Sequence, residues 1–164
     1  MSRVRDWGFA TGLMMTAILP GLAASGPQPV PIEERARGAG RIVVASVVET
    51  SARFERNEFG DDLIVTYARL KVEDAVKGPI DPVTLALDGG TVNGITMRVA
   101  SLPTLAKGER AIFFLTPGRD GAYRPHLRGQ GILKLDATNT VRGSRLTLDE
   151  VKRLARAGQK NGGA

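Results

Sequence analysis

Cysteine is missing from all 164 residues. That excludes disulfides, thiolate zinc ligands, a cysteine nucleophile and a lipid-modified lipoprotein cysteine. Stability therefore has to come from packing and hydrogen bonds. Histidine is almost missing too: His126 stands alone. A repeated His/Glu zinc motif cannot be assembled within one chain from a single histidine. Aromatics make up only 5%. Beyond the first 25 residues they are Phe54, Phe59, Tyr67, Phe113, Phe114 and Tyr123. Barrels that hold single-stranded nucleic acid stack bases on exposed aromatics interleaved with basic residues, and no basic run interleaves with these. The net charge of +6 favours anionic partners in general, but nucleic acid is not expected.

What is present is glycine, 20 residues, and ordinary globular contents of 42% hydrophobic and 24% charged residues. The length suits one domain with a real core. Residues 1–25 read as a secretory signal peptide: Arg3 and Arg5 start it, residues 7–19 are mostly apolar, and small residues at 21–25 suit signal peptidase. The apolar run falls short of the roughly 20 residues of a membrane span. An uncleaved anchor is the alternative, and it would be the chain's only membrane contact. No twin-arginine pair is present, so a Sec-type route to the periplasm or the exterior is expected. Residues 26–40 carry Pro27, Pro29 and Pro31, then Glu33, Glu34, Arg35 and Arg37. Proline and charge oppose regular structure and burial, so this segment is expected to be a tether.

The domain is expected over 41–158, with a disordered tail at 159–164. Residues 41–49 form a valine-rich strand whose valines fall on both parities, which points to cover on both faces or to a bulge near Ser46. Residues 50–58 extend it, with Ala52 and Phe54 facing in. Residues 63–74 alternate, with Ile64, Thr66, Ala68, Leu70 and Val72 on the inner face. Further strands are expected at 83–87, 94–99, 111–115 and 131–136. The unbroken apolarity of 111–115 marks it as covered on both faces. Pro117 to Gly121 is a hairpin turn. Thr147 and Glu150 have capping-box spacing and open a C-terminal helix, with Val151, Leu154 and Ala155 as its apolar stripe and Gly158 as its stop. The expected fold is mainly β: a small OB-like barrel of five or six strands with one C-terminal helix. A sandwich is the alternative reading of the same periodicity.

Ile64-x-Thr66, Lys77-Gly78, Gly89-Gly90, Gly94, Leu102-Pro103, Gly108-Glu109, Phe114-Leu115, Tyr123 and Gly129-x-Gly131 occur in that order. The pattern resembles exported bacterial domains similar to the netrin and tissue-inhibitor-of-metalloproteinase modules, which have an OB-like barrel. It covers roughly residues 41–136. The resemblance implies a non-enzymatic binding or inhibitory module outside the cytoplasm. The animal inhibitors chelate a protease's zinc through an N-terminal cysteine. This chain has no cysteine, so no inhibitory residue is carried over.

Two constellations are candidates for binding. Gly89, Gly90, Asn93 and Gly94, with Arg98 beyond them, form a glycine-rich connection that lets a partner's backbone or an anion approach bare amides. A wide turn needing positive φ is the plainer reading. Arg124, His126, Arg128 and Gln130 alternate, so an extended chain places all four on one face as a basic stripe for an acidic surface. A solvated strand face is its plainer reading. His126 lacks a serine or cysteine nucleophile motif beside it. The acidic groups Asp61-Asp62, Glu73-Asp74 and Asp88 are dispersed and lack calcium-loop spacing. No metal, cofactor or catalytic residue is expected. The function expected is that of an exported, non-enzymatic module that docks an envelope or extracellular protein. A binder of anionic envelope polysaccharide is the alternative, and a hydrolase using His126 the remoter one.

Overall fold

The computed structural model describes residues 29–57 and 59–160. The expected leader, the first residues of the tether and residues 161–164 of the tail lie outside them. Helix α1 spans Ile32–Gly38, and eight strands follow: β1 Arg41–Arg56, β2 Asp62–Lys77, β3 Val83–Asp88, β4 Gly90–Val92, β5 Ile95–Met97, β6 Arg110–Pro117, β7 Tyr123–Pro125 and β8 Ile132–Lys134. Helix α2, Leu148–Lys160, ends the described chain. The protein is mainly β, with a six-stranded sheet ordered β1-β2-β3-β7-β6-β8, a separate β4–β5 hairpin and a C-terminal helix. Strand β1 pairs β2 on one edge and β6 on the other; β3 and β7 pair in parallel.

The double parity of the β1 valines has both expected causes at once. Register shifts interrupt its pairing with β2 at Ile42/Val43, Val44/Ala45 and Val47/Glu49. The strand is also covered on both faces. Val43, Ala45 and Val47 pack inside with Ala68, Leu70, Leu85 and Phe113, while Ile42 and Val44 pack outside with Phe114, Val151 and Ala155. Residues 111–115 are all buried, as their apolarity requires. Ala52 and Phe54 do oppose Thr66 and Ile64 across the ladder. Phe54 is nevertheless 45% exposed, although Ile64 opposite it is buried.

The tether expectation is corrected for residues 32–38. They form α1, whose Ile32 and Ala36 are buried against α2. A helix of 7 residues does not form alone; packing creates it. Glu33 and Glu34 in its first turn and Arg35 and Arg37 in its last suit the helix dipole. Arg35 is buried and donates to the carbonyls of Val30 (2.7 Å) and Gln130 (2.7 Å); burial lowers its pKa. The capping box forms as read: the Thr147 amide donates to Glu150 Oε2 at 2.8 Å, and the Glu150 amide donates to Thr147 Oγ1 at 3.3 Å. Gly158 does not stop α2. It lies buried inside the helix, and α2 runs on to Lys160 through the first two residues of the expected tail.

The turn before β6 is pinned by Glu109. Its carboxylate accepts two bonds from Lys134 Nζ (2.9 and 2.8 Å) and faces Arg142 at 3.3 Å. Burial pushes its pKa up, but the bonds from Lys134 and the Ala106 amide, with the charges of Lys134 and Arg142, pull it further down, below the ordinary 4.5. A depressed folded pKa contributes stability above the unfolded value that is lost as pH falls through the folded one. Glu109→Gln is therefore expected to lose less stability on acidification than the native chain. Urea midpoints near pH 7 and at roughly pH 3 check this; equal losses in both proteins would refute it.

Candidate functional site

The glycine-rich connection divides into two parts. Gly89 and Gly90 adopt φ of 103° and 138°. A Cβ on Gly90 would come within 2.3 Å of Thr66 Oγ1, and Thr66 Oγ1 donates to the Gly89 carbonyl at 2.6 Å. The two glycines thus let the chain cross closely over β2 before turning into β4. Asn93 and Gly94, with φ of 49° and 80°, form the two-residue turn between β4 and β5, for which Asn-Gly is the favoured pair. They sit exposed at the hairpin tip.

Beneath that hairpin lies a cleft of about 700 Å³. Its walls are residues 50–52 of β1, Thr66 of β2, residues 87–91, residues 96–98 and the loop at 99–105. Gly89, Gly90 and Arg98 line it; Asn93 and Gly94 do not. Leu87 is buried, and Met97, Leu102 and Leu105 are half-buried, which gives an apolar floor. Thr50, Thr66, Thr91, Thr96 and Thr104 add hydroxyls. The charged residues of the lining are Asp88 and Arg98. Asp88 is held by Arg124 at 2.8 Å. Arg98 is exposed and makes no ion pair or hydrogen bond among the described residues.

The basic stripe does not form. Strand β7 ends at Pro125, and Leu127 and Arg128 both take φ of 55°. The chain then winds into a 3-10 turn at Arg128–Gly131, so the four side chains part. Arg124 pairs with Asp88. Arg128 Nε donates to Ser101 Oγ at 3.0 Å. Gln130 Oε1 accepts from the Val30 amide at 2.8 Å, tying down the chain before α1. The His126 ring fills the space beside Gly38, where a Cβ would come within 2.4 Å of its Nε2. Burial, then the charge of Lys77, lowers the His126 pKa.

A second cleft of about 430 Å³ flanks the β1–β2 hairpin end. There Tyr67 donates its hydroxyl to Glu55 at 2.6 Å, and Arg53 lies over the Tyr67 ring at 4.4 Å while bridging to Glu55 at 2.7 Å. The Tyr67 bond comes first in holding the Glu55 carboxyl below its usual range, and the same bond raises Tyr67. These groups satisfy one another. The remaining acidic candidates are scattered: Glu73 pairs with Arg110 and Asp74 with Lys152. Among the described residues, no three His, Asp or Glu side chains converge to hold a metal ion, and no helix is long and apolar enough to cross a membrane.

Sequence reasoning missed residues 50–52, Thr66 and the 99–105 loop. One signal was available. On the inner face of β1 and β2 the apolar series of Val43, Ala45, Val47, Ala68 and Leu70 gives way to Thr50 and Thr66, and a hydroxyl at an inward position marks the end of the core. No protein-family model matches this chain, and no curated protein matches it.

Proposed function

We propose that the chain is an exported, non-enzymatic binding module that docks a protein partner of the cell envelope or exterior in the cleft below the glycine-rich connection. The observation that carries this reading is the cleft itself: an apolar floor, a hydroxyl rim and one uncompensated cation, Arg98, with Gly89 and Gly90 in its wall. We also read the fold as a small OB-like barrel of the netrin and metalloproteinase-inhibitor kind. The ring of pairings β1-β2-β3-β7-β6-β1 supports that reading. Export rests on the leader-like residues 1–25.

The experiment is affinity capture from envelope and culture-fluid proteins with the native chain, Ala100→Trp and Arg128→Glu as baits. Ala100 is an exposed residue of the cleft lining, so tryptophan there fills the cleft and spares the core. A partner held by the native chain and by Arg128→Glu, but lost with Ala100→Trp, is the expected result. A partner held equally by all three baits, or by none, would sink the reading.

The polysaccharide alternative keeps one supporting observation, in a new place. Arg153, Arg156 and Lys160 are exposed on α2 and make no ion pair within 4 Å among the described residues. Their spacing puts them along one side of the helix. Binding to an anionic polymer through them would weaken steeply with salt, because exposed charges are screened over roughly 8 Å at physiological ionic strength.

A further inference from the structure

We infer that the cleft is the slot of a missing strand: it takes an extended peptide segment of the partner protein, laid along the open edge of β1, with a carboxylate of that segment on Arg98. The inference rests on the docking reading above and names the chemistry of what docks.

The two edges of β1 are paired to different lengths. Its edge toward β2 is paired along nearly its whole length, from Ile42↔Lys77 to Arg56↔Asp62. Its other edge is paired with β6 only from Arg41↔Leu115 to Ser46↔Arg110. One more step follows: the Val47 amide donates to the Glu109 carbonyl at 2.9 Å, and the Gly108 amide donates to the Val47 carbonyl at 2.8 Å. Then the incoming chain leaves. The Glu109 amide closes a turn on the Ala106 carbonyl, and Gly108 takes φ of 86°. Residues 48–56 have no backbone hydrogen bond on that edge among the described residues.

The cleft opens where β6 stops. Residues 50–52 form one wall and the departing 99–105 loop another. A strand placed there continues the line that β6 would have followed. An unpaired strand edge is a template for pairing, and addition of an extended peptide to such an edge is a general mode of recognition. Main-chain hydrogen bonds give it affinity, and pockets for alternate side chains give it specificity. Here Leu87, Met97, Leu102 and Leu105 supply the apolar pocket for every second side chain. The one uncompensated charge is positive, because Asp88 is already held by Arg124. The segment that complements it is anionic at one position. A second copy of this chain fits less well, since its own β1 edge arrives with β2 attached and the cleft is bounded by the β4–β5 hairpin and the loop.

The test uses the full chain and a pool of fluorescein-labelled octapeptides that alternate varied apolar residues with threonine and carry a single glutamate. Each is made with a free and an amidated C terminus, and with the glutamate replaced by glutamine. The expected result is saturable binding by anisotropy, slowed amide hydrogen exchange within residues 48–56, and at least a tenfold loss of affinity in Arg98→Glu. Arg98 is exposed, so this variant keeps the fold; Thr104→Trp, which fills the cleft from its exposed rim, gives the second check. Loss on amidation assigns the carboxylate to a chain terminus, and loss with glutamine assigns it to a side chain. No saturable binding, binding that Arg98→Glu leaves intact, or binding without protection at residues 48–56 would each overturn the inference. So would protection there that grows with protein concentration in the absence of peptide, which would give the edge to a second copy. Partner capture that depends on the cleft, combined with failure of these peptides, removes the strand pairing and leaves the docking reading in place.

Discussion

Replacing either Phe113 or Phe114 by alanine is expected to cost about 3–5 kcal/mol, the range for removing a buried aromatic ring. The two residues are neighbours on β6, and successive side chains on a strand point to opposite faces. On most sheets one of the pair would meet water. Here both rings are fully buried. Phe113 packs inside with Val43, Ala68, Leu70 and Leu85, whereas Phe114 packs against the helix layer with Ile42, Val151 and Ala155. Each truncation leaves a cavity in a different cluster. Since a domain's total stability is about 5–15 kcal/mol, either variant should be close to unfolding and the double variant should not fold. Phe54→Ala is the control. Its ring is 45% exposed, and exposed substitutions away from special features stay within roughly 0.5 kcal/mol. Urea unfolding of the three single variants decides the matter. A cost below about 1 kcal/mol for Phe114→Ala would mean that α1 and α2 do not seal the outer face, far below the range for a buried ring.

The same double cover explains which parts of the fold were legible in the sequence. Residues 41–49, 63–74, 83–87 and 111–115 declared themselves as strands because burial demands β-branched and apolar side chains in a fixed period. The polar end of β1 offers only a weaker alternation, from which residues 50–58 are read as its extension, and the register from Thr50↔Ala68 to Arg56↔Asp62 carries the strand as far as Arg56. Helix α1 was illegible for a related reason. Two apolar residues, Ile32 and Ala36, are too few for a periodic signal, and the helix exists only against α2. The candidate site was half legible. Gly89, Gly90 and Arg98 were visible because glycine clusters report unusual backbone directly. Residues 50–52, Thr66 and the 99–105 loop meet them only through long-range pairing. The stripe failed at two non-glycine residues, Leu127 and Arg128, in left-handed conformation. That conformation is uncommon for such residues, so alternation was the default reading and the default was wrong.

Gly158→Ala inverts a rule that usually holds. Within a helix, alanine is favoured over glycine by about 0.8–1.0 kcal/mol, so this substitution in α2 ought to stabilise the protein. At Gly158 a Cβ would come within 2.2 Å of the Glu33 carbonyl oxygen, 2.7 Å of its Cα and 2.8 Å of its carbonyl carbon. All three are backbone atoms of α1, which cannot rotate aside as a side chain can. Relief requires α1 to move away from α2, and that loosens Ile32 and Ala36 from Val151 and Ala155. It also strains the bonds by which Arg35 holds Val30 and Gln130. Overpacking of this kind costs about 1–3 kcal/mol, enough to exceed the propensity gain and leave a net loss. Ala157→Gly supplies the comparison. Ala157 is exposed on the same helix, so that change should cost only the propensity difference and leave α1 in place. Amide exchange separates the two. In Gly158→Ala the amides of residues 32–38 should exchange faster while those of β2 and β6 hold, and in Ala157→Gly no such local opening should appear. A higher melting temperature for Gly158→Ala would show that α1 does not approach α2 as closely as this glycine permits, and the buried position of Ile32 and Ala36 would then need another cause.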